Sequence, residues 1–86
     1  MTSIDELISK YIRGAERVVK EIEEIPDDLH LNNEEAKTVF DWAKRYLEDA
    51  KYYQEKGKLE TSLTSVAYCE GLLDALRLLG AVEFSW

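Results

Sequence analysis

A single cysteine, a single proline, one histidine and four glycines are spread through 86 residues, and their scarcity removes several classes of answer. Cys69 has no second cysteine to pair with, which excludes an internal disulfide and a cysteine-based zinc cluster. A lone thiol fits a reducing compartment, and the first residues do not read as a signal peptide, so the expectation is a cytoplasmic protein. With Pro26 the only proline, the chain has few breaks, a composition that favours long helices. No stretch approaches the roughly 20 apolar residues of a membrane span, and no membrane partner is expected. Positive charge is short as well: 11 Lys and Arg face 18 Asp and Glu, giving a net charge of −7. Bulk electrostatics therefore repel nucleic acid and anionic lipid. A phosphate loop, a nucleophile elbow, a zinc signature and the Glu-x-x-His pair of di-iron bundles are all missing. His30 stands alone in a connection. No metal, cofactor or catalytic residue is expected.

What is present is periodicity. Hydrophobic residues at 45% and charged residues at 34% suit a folded chain rather than a disordered one. Ser3-Ile4-Asp5-Glu6 has the Ser-x-x-Glu form of a capping box and predicts a helix over 4–25. Its apolar face is Ile4, Leu7, Ile8, Tyr11, Ile12, Ala15, Val18, Val19, Ile22 and Ile25, in steps of three and four, with Gly14 off that face. Pro26 stops it. In the connection "PDDLHLNN", Leu29 and Leu31 are expected to plug the bundle end, and Asn32 or Asn33 to cap the next helix. A second helix is predicted over 34–56, apolar at Ala36, Val39, Phe40, Ala43, Tyr46, Leu47, Ala50 and Tyr53, and ended by Gly57. A third is predicted over 59–79, ended by Gly80, with the tail "AVEFSW" behind it. Each helix would be roughly 30 Å long. Matched lengths and short connections predict an all-α fold, an antiparallel up-down-up three-helix bundle, as one domain over 1–86.

The segments "YLEDAKYYQEKGKLETSL" and "AYCEGLLDALRLLG" carry a family pattern. Tyr46, Asp49-Ala50, Tyr53 and Gly57 lie around one hairpin, followed by Tyr68, Gly71, Leu73-Asp74-Ala75 and Gly80. Over residues 36–80 the chain resembles the archaeal domain of unknown function family 357. Leu63 and Val66 are larger than that pattern suggests, and the first helix adds little to it. The resemblance implies an archaeal source and a three-helix bundle, and it implies no activity.

Two groups of residues stand out as candidates. Trp42, Tyr46, Asp49 and Tyr53 follow one ridge of the second helix. If the chain turns at residues 57 and 58, Asp74 lies level with Trp42 and Glu70 level with Arg45. A Trp42 N–H bond to Asp74 and an Arg45–Glu70 pair are then expected. The ridge with Glu70 and Asp74 could line a small-molecule groove suited to a cation. The same register puts Asp49 and Asp74 roughly 12 Å apart along the axis, too far to share a metal. The third helix has two apolar seams. One is Val66, Cys69, Leu73, Leu76; the other is Tyr68, Leu72, Ala75, Leu79. Two seams are more than one stripe needs. With Gly71, and with Phe84 and Trp86 of the tail, the second seam is a candidate contact for a homodimer or a protein partner. On the first helix Lys10, Arg13, Arg17 and Lys20 form a basic stripe, with Glu6–Lys10, Glu16–Lys20 and Arg17–Glu21 at i, i+4 spacing. The function expected is a non-enzymatic interaction or self-association module. The alternatives are a ligand-binding or enzymatic bundle using the ridge, and, more weakly, RNA binding through the first helix.

Overall fold

Ser3 opens the first helix. Its Oγ accepts a hydrogen bond from the Glu6 backbone N–H at 3.1 Å, satisfying one of the donors that a helix start leaves free. The computed structural model describes residues 3–24 and 34–86 and is all-helical, with α1 at Ile4–Glu24, α2 at Glu34–Glu55 and α3 at Leu59–Leu78. Among the described residues there is no strand, and no described helix is long and apolar enough to cross a membrane. Ile25, Pro26, Leu29, His30, Leu31, Asn32 and Asn33, to which the sequence assigned roles, lie outside the described residues.

Both later helix ends are built alike. At the end of α2 the Lys58 N–H donates to the Tyr53 carbonyl at 2.9 Å and the Gly57 N–H to the Gln54 carbonyl at 3.0 Å. At the end of α3 the Ala81 N–H donates to the Leu76 carbonyl at 2.9 Å and the Gly80 N–H to the Arg77 carbonyl at 3.0 Å. These are Schellman closures, and each needs a left-handed residue, supplied by Gly57 at φ 76° and Gly80 at φ 78°.

The core runs between all three helices. From α1 it takes Ile8, Ile12, Ala15, Val18, Val19 and Ile22; from α2 Phe40, Ala43, Leu47 and Ala50; from α3 Val66, Cys69, Leu73 and Leu76; and from the tail Val82. Ile4 does not join it. At 46% exposed it stands one turn before Ile8, the first fully buried residue, at the open end of the helix. α2 packs most extensively on α3, and α1 contacts both. Lys44 pairs with Glu23 at 3.4 Å and Lys51 with Glu16 at 3.1 Å, while Gln54 Nε2 donates to Asp5 Oδ1 at 2.9 Å and to Ser9 Oγ at 2.7 Å. The bond to Glu16 raises the Lys51 pKa above its ordinary value against a smaller opposing effect of burial. Between α2 and α3, the buried Ser62 hydroxyl donates to the Ala50 carbonyl at 2.6 Å.

Candidate functional site

The two seams of α3 have opposite fates. Val66, Cys69, Leu73 and Leu76 are core, whereas Tyr68 is 58% and Leu79 82% exposed, with Leu72 and Ala75 half-buried. Leu78, next in the chain to Leu79, is 76% exposed. The exposed seam continues onto α2. Trp42 and Tyr46 are one helical turn apart, with ring centroids at 6.1 Å, and Tyr46 stacks on Tyr68 at 5.2 Å. The Arg45 guanidinium lies 4.8 Å from the Trp42 ring centroid. An aromatic ladder of Trp42, Tyr46 and Tyr68 therefore crosses the α2–α3 seam and meets the apolar strip of α3. Two shallow depressions flank that strip. One, of about 490 Å³, is lined by Leu63, Thr64, Ala67, Tyr68, Gly71 and Leu72. The other, of about 460 Å³, lies between Glu35, Ala36 and Val39 of α2 and Leu72, Ala75, Leu76 and Leu79 of α3. A Cβ built on Gly71 would meet nothing within 4 Å, so among the described residues none uses the close approach that Gly71 permits.

The ridge proposed from sequence is divided. Asp49 is exposed in a shallow dent with Asp41, Trp42, Lys44, Arg45 and Glu48, and Tyr53 meets Tyr52 edge-on at 5.2 Å. Glu70 and Asp74 face a different seam, a cleft of about 380 Å³ between α1 and α3 lined with Lys10, Tyr11, Gly14 and Trp86. The expected Trp42 bond to Asp74 is replaced: Asp74 Oδ1 accepts from Trp86 Nε1 at 2.8 Å and from Arg77 Nη2 at 3.1 Å. The expected Arg45–Glu70 pair is likewise replaced, since Arg45 lies over Trp42 on the α2–α3 side. Trp42 and Arg45 lie on the α2–α3 side, and Glu70 and Asp74 on the α1–α3 side. Burial first, and the Asp74 charge second, push the Glu70 carboxyl above its ordinary value.

The tail also departs from expectation. Arg17 Nη2 donates to the Ser85 carbonyl at 2.9 Å and the Trp86 carbonyl at 2.8 Å, while its Nη1 holds Glu21 at 2.9 Å. Val82 is buried, Phe84 packs edge-on to Trp86 at 5.0 Å, and Arg77 lies over the Phe84 ring at 5.7 Å. Phe84 and Trp86 thus belong to the α1–α3 side and do not extend the exposed seam of α3. The tail had to go where Arg17 and Asp74 offer polar partners.

Burial pushes the Cys69 thiol up to about 12, leaving it protonated and unreactive at neutral pH. Among the described residues no three His, Cys, Asp or Glu side chains are gathered to hold a metal. On α1 the Arg17–Glu21 pair forms, but Lys20 turns to Glu24 at 3.9 Å and Glu16 to Lys51, and Lys10 lines the cleft in place of pairing with Glu6. Two features escaped the sequence reading. Ser62 and Ser65 are buried, and their spacing of four before Val66 and Cys69 was the available signal. The Arg17 bonds to tail carbonyls had none, because backbone acceptors leave no mark in a sequence.

The family described as "Protein of unknown function (DUF357)" matches residues 10–82. The chain belongs to it. The DUF357 match reaches well into α1, further than the hairpin residues that suggested it. It takes in Trp42, Tyr68, Gly71 and Leu79, and stops short of Phe84 and Trp86. Neither the curated proteins nor the solved structures yield a match to this DUF357 chain.

Proposed function

We propose that this DUF357 chain is a non-enzymatic protein-contact module, an antiparallel up-down-up three-helix bundle over residues 1–86 that presents its α2–α3 face to another protein surface. The bundle direction is supported by the pairs Glu23–Lys44, Glu16–Lys51 and Asp5–Gln54, whose numbers rise on α2 as they fall on α1. Ala50–Ser62 and Tyr46–Tyr68 run the same way between α2 and α3.

One observation carries the function: an exposed strip of Trp42, Tyr68 and Leu79, 47%, 58% and 82% exposed and joined through Tyr46, Leu72 and Ala75, on a chain of net charge −7. Apolar residues scattered singly over a surface mean little, but a contiguous patch marks a contact. Trp, Tyr and Arg are the residues in which binding energy concentrates at interfaces, and Trp42, Arg45, Tyr46 and Tyr68 are adjacent here. The lone buried Cys69 supports a reducing, cytoplasmic setting.

The test uses the full chain immobilised in native extract, beside a Tyr68→Glu/Leu79→Glu variant with the same helical circular dichroism. Specific retention of protein by the wild type, lost in the variant, is expected. Equal retention by both would remove the α2–α3 face from the function.

A further inference from the structure

The exposed face of α3 has a symmetry that names its occupant. At steps of four residues it reads Leu63, Ala67, Gly71, Ala75, Leu79, the same in both directions from Gly71. Steps of four make one continuous ridge on a helix, the ridge by which helices most often interlock. All five residues are half-buried or exposed. We propose that the surface docking on this face is a second copy of the chain, its α3 crossing antiparallel on a two-fold axis through Gly71; this rests on the contact-module reading above and names the partner.

A two-fold contact requires that residue i meets j while j meets i. An axis at Gly71 sets Leu63 against Leu79 of the second copy, Ala67 against Ala75, and Gly71 against itself. An unrelated partner gives no reason for the pattern to mirror itself. The space matches. Gly71 is open outward, so two backbones can approach there, and the depressions of about 490 and about 460 Å³ lie on either side of the axis, one toward each terminal leucine.

Charge matches too. Self-association of a chain at −7 must find a face where like charges do not meet. Between Glu60 and Arg77 the only charges on α3 are Glu70 and Asp74, and both line the α1–α3 cleft; of the residues lining the two depressions only Glu35, at the Leu79 end, is charged, and the two-fold sets that end against the uncharged Leu63 end of the second copy. Area then fixes the extent. From residue 63 to 79 the strip is about 24 Å long and about 10 Å wide, small beside the about 800 Å² per partner of a standard interface. The Trp42–Tyr46–Tyr68 ladder must therefore be part of the contact, and the dimer depends on concentration.

Cysteine placement tests it, because Cys69 is buried and silent toward thiol reagents. Single variants of the full chain are treated with a short bismaleimide at micromolar concentration. Gly71→Cys is expected to link into a covalent dimer far faster than Lys20→Cys, an exposed control on α1. Leu63→Cys mixed with Leu79→Cys should link, and Leu63→Cys alone should not. In light scattering, Gly71→Leu, whose side chain enters open space in the single chain, should raise the dimer dissociation constant about tenfold or more. Equal linking of the Gly71 and Lys20 variants, or linking of Leu63→Cys alone, would overturn the proposal. A wild type that remains monomeric, yet retains protein from extract through Tyr68 and Leu79, removes self-pairing and leaves the contact-module reading intact.

Discussion

Ser62 shows how a single hydroxyl can hold a helix pair in register. It is buried, and its bond to the Ala50 carbonyl at 2.6 Å joins α3 to α2 beside their turn. Ser62→Ala should lower stability by about 1 kcal/mol in urea unfolding, the net worth of one such bond. Cys69 gives a second expectation. With the folded thiol pushed up to about 12 and an unfolded thiol near about 8.5, the folded state holds its proton more tightly. Stability from this group is complete below the unfolded value and falls as pH rises toward the folded one. Thiol reagents should modify Cys69 only at the rate of unfolding. Glu70 follows the same sign in acid. Its carboxyl is raised by burial and Asp74, so its ionisation opposes folding. Glu70→Gln should raise the melting temperature at neutral pH, and the difference should vanish below the carboxylate range. At this scale the sequence was legible where spacing recorded the environment, as at Cys69 and Leu73. It was silent about Arg17, whose partners in the tail are carbonyls.

Elements were legible through their periods and ambiguous where period failed. α1 keeps its apolar residues on one side, and its face was read correctly from Ile8 to Ile22. α3 carries apolar residues round its whole circumference, so the sequence marked two seams, and the seam of Val66, Cys69, Leu73 and Leu76 is the buried one. Substitution should separate them. Leu73→Ala, at a fully buried site, should cost about 2–5 kcal/mol, and Leu79→Ala, at an exposed one, under about 0.5 kcal/mol. The glycines divide in the same way. Gly57 is left-handed, so Gly57→Ala should destabilise by about 1–2 kcal/mol. Gly71 is helical with open space beyond it, so Gly71→Ala should stabilise by about 1 kcal/mol in dilute thermal unfolding.

For the whole molecule, net charge gives an expectation that the fold does not alter. At near-physiological salt the chain should not be retained on generic RNA or DNA columns, because −7 opposes association and Arg17 and Lys20 are paired with Glu21 and Glu24. Retention abolished by Arg13→Glu/Arg17→Glu would restore the basic stripe as a binding surface. Tertiary placement was the least legible level. Three periodic segments foretold three packed helices, but the side to which Phe84 and Trp86 turn depends on Asp74 and on Arg17, which is far away in the chain. That placement has an optical consequence. The two indoles of the protein report on different seams, Trp42 beside a guanidinium on the α2–α3 seam and Trp86 bonded to Asp74 on the α1–α3 seam. In Trp42→Phe the remaining emission becomes a gauge of the tail alone, red-shifting when Asp74→Asn or Arg17→Ala loosens it. In Trp86→Phe the signal reads the α2–α3 face and should change with protein concentration.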